Sequence, residues 1–125
     1  MSTSERKRYT REVLLDRERV RQLRGTAFGW IDARIKSDGW LGALGPEAVA
    51  VYLFLCLAAN HEGVSWYTRA RIGGELGLPD GDVLDALDRL DALDLVVYRP
   101  FSPHAVDGWR QVLPVPPGGP RGTGR

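Results

Sequence analysis

The chain has little cysteine, little histidine, no long apolar run and almost no net charge. Its 125 residues include one cysteine, Cys56, and two histidines. A lone thiol closes no disulfide within the chain and builds no cysteine-rich zinc cluster. His61-Glu62 lacks the second histidine that a zinc-binding helix needs. The longest apolar run, Ala48 to Ala59, has 12 residues, whereas a membrane span takes about 20. That run reads as the buried helix of a soluble protein. The polar N-terminus has no signal-like apolar stretch, so a cytoplasmic protein without a membrane partner is expected. Gly73-Gly74 lies inside a helical pattern, and no Gly-Lys-Ser/Thr follows to make a phosphate loop. The aspartates between 80 and 94 recur about every three residues and suggest no acid–base pair. The expectation is a chain that is not an enzyme and takes no cofactor and no metal.

What is present is unevenly spread. Lys plus Arg is 17 and Asp plus Glu is 16, a net of +1. Residues 1–24 carry a net of +4, residues 25–92 a net of −5 and residues 93–125 a net of +2. Basic ends around an acidic middle suggest an interaction arm. The apolar content of 43% and the length suit one globular domain with one core.

Residues 4–24 read as a charged helix capped by Ser4, with Tyr9, Val13, Val20 and Leu23 on one stripe that Asp16 interrupts. Phe28 to Asp32 reads as a short strand or extended entry, and residues 33–44 are ambiguous. Pro46 suits a first helical position, and Glu47 complements the dipole of the apolar helix that follows. Asn60 to Gly63 stops that helix, and Val64 to Tyr67 is a short strand. Thr68 caps a helix running to about Leu76. Gly77-Leu78-Pro79 is a tight turn. A second helix runs to about Ala92 on the stripe Val83, Leu87 and Leu90. Leu95 to Phe101 and Trp109 to Val115 form a hairpin. The Pro/Gly-rich residues from 114 onward read as a disordered tail. The domain division is therefore 1–24, 25–113 and 114–125. The four tryptophans at 30, 40, 66 and 109 could stack on unpaired bases, but their apolar neighbours favour core packing.

The fold class expected is mainly α with a small β hairpin. The stretch Ile72-Gly73-Gly74-Glu75-Leu76-Gly77-Leu78-Pro79, continued by Val83, Leu87, Leu90 and Leu95-Val96, resembles the winged helix-turn-helix of regulatory proteins. With Leu44, Ala48, Val51, Tyr52, Leu55, Gly63 and Trp66, the wider stretch 28–100 resembles the winged helices of plasmid and phage replication-initiation and replisome-organiser proteins. The resemblance implies a non-catalytic, double-stranded DNA-binding accessory or regulatory factor of a replication or mobile-element type, acting as a homodimer. Backbone contacts would then fall to Tyr67, Thr68, Arg69, Arg71, Arg89, Arg99 and Arg110. The basic N-terminal residues Arg6, Lys7, Arg8 and Arg11 would add to the grip.

The helix that would enter the major groove departs from that pattern. Pro79 to Asp94 holds six aspartates and one arginine, and duplex DNA repels a face of that sign. Asp80 and Asp82 have a purely structural reading as acidic residues at a helix start. Arg89 could pair with Asp85 one turn back. The alternative function is a winged helix turned into a protein-interaction module, with Asp82, Leu84, Asp85 and Asp88 meeting a protein partner. One continuous basic face would favour DNA. An exposed acidic helix with its arginines scattered or paired would favour a protein.

Overall fold

A computed structural model describes residues 15–22 and 25–120. Within them the chain is α+β, with five helices and one three-stranded antiparallel sheet. The order is α1 (Arg34–Ser37), α2 (Trp40–Leu44), α3 (Pro46–Ala58), β1 (Val64–Ser65), α4 (Arg69–Leu76), α5 (Asp80–Ala92), β2 (Val96–Pro100) and β3 (Gly108–Val112).

Local chemistry sets these boundaries. Gly45 ends α2 and precedes α3 with φ of 81°, a conformation open to glycine. Pro46 then takes the first helical position, where its missing N–H is no loss. Asn60 stops the chain after α3, because its Oδ1 accepts the N–H groups of Glu62 and Val64 at 2.9 and 3.0 Å. Thr68 caps α4, its Oγ1 accepting Arg71 N–H at 3.1 Å. Gly77 closes α4 in the left-handed region, and Leu78 N–H reaches back to Gly73 C=O at 3.0 Å. Helix α5 ends in a similar way, with Leu95 N–H on Leu90 C=O, but Asp94 occupies the left-handed position with φ of 60°.

The sheet order is β1-β3-β2. Ser65, Arg110 and Tyr98 stand opposite one another, as do Val64, Gln111 and Val97. Alternation along the strands then decides burial. Val96, Arg110 and Ser65 are buried, while Val97, Arg99, Trp109 and Gln111 face outward. The core gathers between α3, α5 and their neighbours around Trp40, Val51, Leu55, Ile72, Val83, Leu90 and Leu95. Leu87 and Ala86 complete the buried stripe of α5.

Three expectations are corrected and one alternative is settled. Residues 15–22 form no helix. The Asp16 carboxylate takes the N–H groups of Glu18 and Arg19 and the Arg19 guanidinium, a local turn that competes with helix. Residues 4–14, 23 and 24 of that expected helix lie outside the described residues. Of the two readings of Phe28 to Asp32 the strand falls away, since the segment pairs with no strand. Of the four tryptophans Trp40 alone is buried, whereas Trp30, Trp66 and Trp109 are exposed. Apolar neighbours in sequence are thus a poor guide to burial where the chain crosses the surface. The start of the tail is ordered: Val115 is in the core. Gly119 lies so close to α1 that a Cβ would stand 2.6 Å from Asp38 C=O. No helix among the described residues is long and apolar enough to cross a membrane.

Candidate functional site

The basic residues that could meet phosphate are mostly engaged within the fold. Arg110 is buried, with its guanidinium 4.8 Å from the Tyr98 ring centre and donating to Tyr67 C=O. Burial also lowers its pKa from the usual arginine value. Arg69 has a mostly buried side chain that approaches Asp80 at 4.0 Å, and its Nε has no hydrogen-bond partner. Arg89 does not pair with Asp85. Its Nη1 donates to Ala43 C=O and Leu44 C=O at 3.4 and 3.2 Å, closing the C-terminal end of α2. Cations at a helix C-terminus are favoured there by its free carbonyls.

Arg89 nonetheless stays solvent-exposed, as do two further arginines. Arg71 is exposed, bonded to Glu75 at 2.6 Å one turn along α4 and set 5.5 Å from the Tyr67 ring centre. Arg99 is exposed on β2. Tyr67 is half-buried against Phe54, ring centres 5.1 Å apart, and Thr68 spends its hydroxyl oxygen on the cap. Arg6, Lys7, Arg8 and Arg11 lie outside the described residues.

The start of α4 is already occupied by an anion from the chain itself. Asp107, on the β2–β3 connection, accepts Arg69 N–H at 2.9 Å. A helix N-terminus is a natural phosphate seat, and here a carboxylate holds it. The sequence gives no sign of this, since the two residues are 38 apart.

The acidic residues present the opposite picture. Asp82, Leu84, Asp85 and Asp88 are exposed on α5. Among the described residues no Lys or Arg lies within ion-pair distance of Asp82, Asp85 or Asp88. Glu47, at the start of α3, joins Asp82 and Asp85 in lining a 220 Å³ cleft beside Arg89. On the other side of Arg89, Asp85 and Asp88 line a shallow 840 Å³ groove that reaches Pro120. Among the described residues no group of three or more His, Cys, Asp or Glu is placed to hold a metal ion. The arrangement suits a cation carried on a flexible stem, such as a lysine or arginine side chain. Glu47 escaped notice as a site residue because its helix start fully accounts for it in sequence. Only the packing of α3 on α5 brings it beside Asp85.

Cys56 is buried, and burial pushes its thiol up from the ordinary value, which disfavours the nucleophilic thiolate. Comparison with known proteins gives no match to a family model, to a curated protein or to a solved structure.

Proposed function

We propose that the chain is a winged-helix protein-interaction module whose acidic α5 face docks a basic protein surface. The element order and the β1-β3-β2 sheet are compatible with a winged helix. The observation that carries the functional reading is the row Asp82, Asp85 and Asp88, exposed and without ion-pair partners among the described residues, with Glu47 beside it. Like charges spaced three apart on a helix are unfavourable by about 0.2–0.5 kcal/mol per pair. A basic partner would relieve that repulsion. Exposed Leu84 supplies an apolar contact within the acidic row, and the Lys or Arg stems of a partner could lie along it.

Duplex binding is the competing reading. Among the described candidates it keeps Arg71, Arg89 and Arg99 as exposed arginines, with Arg71 held by Glu75 and Arg89 by the end of α2, and it must place six aspartates near phosphate. Fluorescence anisotropy separates the two. A labelled Lys/Arg-rich peptide and a labelled random duplex are each titrated with the full chain at about 50 and 200 mM salt. The docking reading expects salt-sensitive peptide binding that weakens in an Asp82→Asn, Asp85→Asn, Asp88→Asn variant, and no duplex binding. Duplex binding at the lower salt that the same substitutions strengthen would overturn it.

A further inference from the structure

A second surface is apolar and left uncovered by the other described residues. It surrounds the C-terminal half of α3. Leu53 and Leu57, one turn apart on the outer side of that helix, are 44% and 59% exposed. The entry segment presses onto the same end of the helix. A Cβ on Gly29 would stand 2.7 Å from Cys56 C=O and 2.9 Å from Leu57 Cα. Glycine is therefore what lets the segment lie this close. The flanking aromatics stay outside, Phe28 at 62% and Trp30 at 77% exposed. Trp66, 59% exposed, lines a 450 Å³ cleft with Ala58 at the end of the helix and with Thr68 and Arg71 on its polar side.

We propose that this face is the contact between two copies of the chain, related by a twofold axis. Three arguments point to a second copy. The first is area. Burying an aromatic side chain removes 150–250 Å², so the exposed parts of Phe28, Trp30 and Trp66 with the two leucines offer roughly 500–600 Å². A standard interface takes about 800 Å² from each partner and adds a polar rim. The second argument is charge. Ala48 to Ala59 contains no charged residue, and the nearby Asp32 and Arg34 neutralise each other at 2.7 Å. Arg71, which lines the Trp66 cleft, is likewise bonded to Glu75 at 2.6 Å, so the charges around this face are paired and give little repulsion between copies, as a twofold contact requires. A highly basic or acidic partner would gain nothing from it. The third argument is composition. Tryptophan and phenylalanine are the side chains over-represented at the centre of protein interfaces.

This contact is separate from the acidic α5 row, so the two stand or fall independently. The test is the solution mass of the full chain by light scattering at about 100 μM, where a dimer of modest affinity is populated. The expected result is the mass of two chains. Trp30→Glu and Leu57→Glu should each weaken association at least 10-fold with an unchanged circular dichroism spectrum. Phe101→Glu, on the β2–β3 hairpin, should leave the dimer intact. A second measurement needs no variant. On dilution, amide chemical shifts should move at residues 28–31, 53, 57 and 66. The mass of one chain at that concentration would overturn the proposal, whether the face is bare or covered by residues 1–14. A dimer that survives both glutamate substitutions, or dilution shifts confined to other surfaces, would overturn it equally.

Discussion

The Asp107 carboxylate accepts the backbone N–H of Arg69 at 2.9 Å and so ties the β2–β3 connection to the first turn of α4. Thr68 satisfies a second free N–H of the same turn, that of Arg71. Two caps from different parts of the chain therefore hold one helix start. Asp107→Ala and Thr68→Ala should each lower unfolding free energy by roughly 1 kcal/mol, the usual worth of a helix cap. Urea denaturation of each variant checks this. Little loss from Asp107→Ala would mean that the contact contributes nothing to stability.

Adjacent glycines in α4 should respond with opposite signs. A Cβ on Gly73 would stand 2.8 Å from Leu78 C=O, a backbone atom that cannot easily yield, while a Cβ on Gly74 meets nothing within 4 Å. Gly74→Ala should stabilise by about 0.5–1 kcal/mol, since alanine restricts the unfolded chain and suits a helix interior. Gly73→Ala should destabilise by about 1–3 kcal/mol through overpacking. Melting temperatures of the two single variants decide it, and equal shifts would contradict the packing of α4 on the turn.

The acidic row also splits by position. Asp82 lies in the first turn of α5, where a negative charge complements the dipole, and Asp82→Asn should lose about 0.3–1 kcal/mol. Asp88 lies beyond that turn, three residues from Asp85 and Asp91. Asp88→Asn should gain about 0.2–0.5 kcal/mol by removing like-charge repulsion. The same denaturation experiment at low salt reads both. A loss at Asp88 would mean that its charge has a partner.

Much of this fold was legible in the sequence. Pro46, Thr68 and Gly77 punctuate helices through local chemistry, and the stripe Val83, Leu87 and Leu90 has the spacing of a buried helical face. The candidate site was half legible. Asp82, Asp85 and Asp88 announce themselves by charge and spacing, but Glu47 joins them only through the packing of α3 on α5. The arginines show the limit most plainly. Arg89 turns to the carbonyls of Ala43 and Leu44, and Arg110 turns under Tyr98. Both are long-range contacts that no local rule contains. Trp40, with glycines at 39 and 42, is the buried tryptophan, while Trp30, Trp66 and Trp109 stay exposed.

Burial of Cys56 and Tyr52 gives the chain an alkaline limit. Burial raises both groups above their ordinary values of 9.0 and 10.0. A raised folded value means that the folded state holds its proton more tightly than the unfolded chain does. The stability tied to these groups is therefore full below about pH 9 and is lost as pH rises past the ordinary values toward the folded ones. Melting temperature should fall from pH 9 upward, and Tyr52→Phe should flatten the part above pH 10. A thiol reagent at pH 8 should leave Cys56 unmodified until denaturant is added. Rapid labelling of the folded chain would contradict its burial.

The most direct test of the docking reading is a pair of titrations followed on one amide correlation spectrum of the full chain. One adds a Lys/Arg-rich peptide and the other a random-sequence duplex, each at about 50 mM salt, where charge-driven contacts are strong. The account predicts that the peptide moves the resonances of Glu47, Asp82, Leu84, Asp85 and Asp88 and leaves Arg71 and Arg99 in place, while the duplex moves none of these. Duplex-induced shifts centred on Arg71 and Arg99, with the α5 resonances silent toward the peptide, would contradict it.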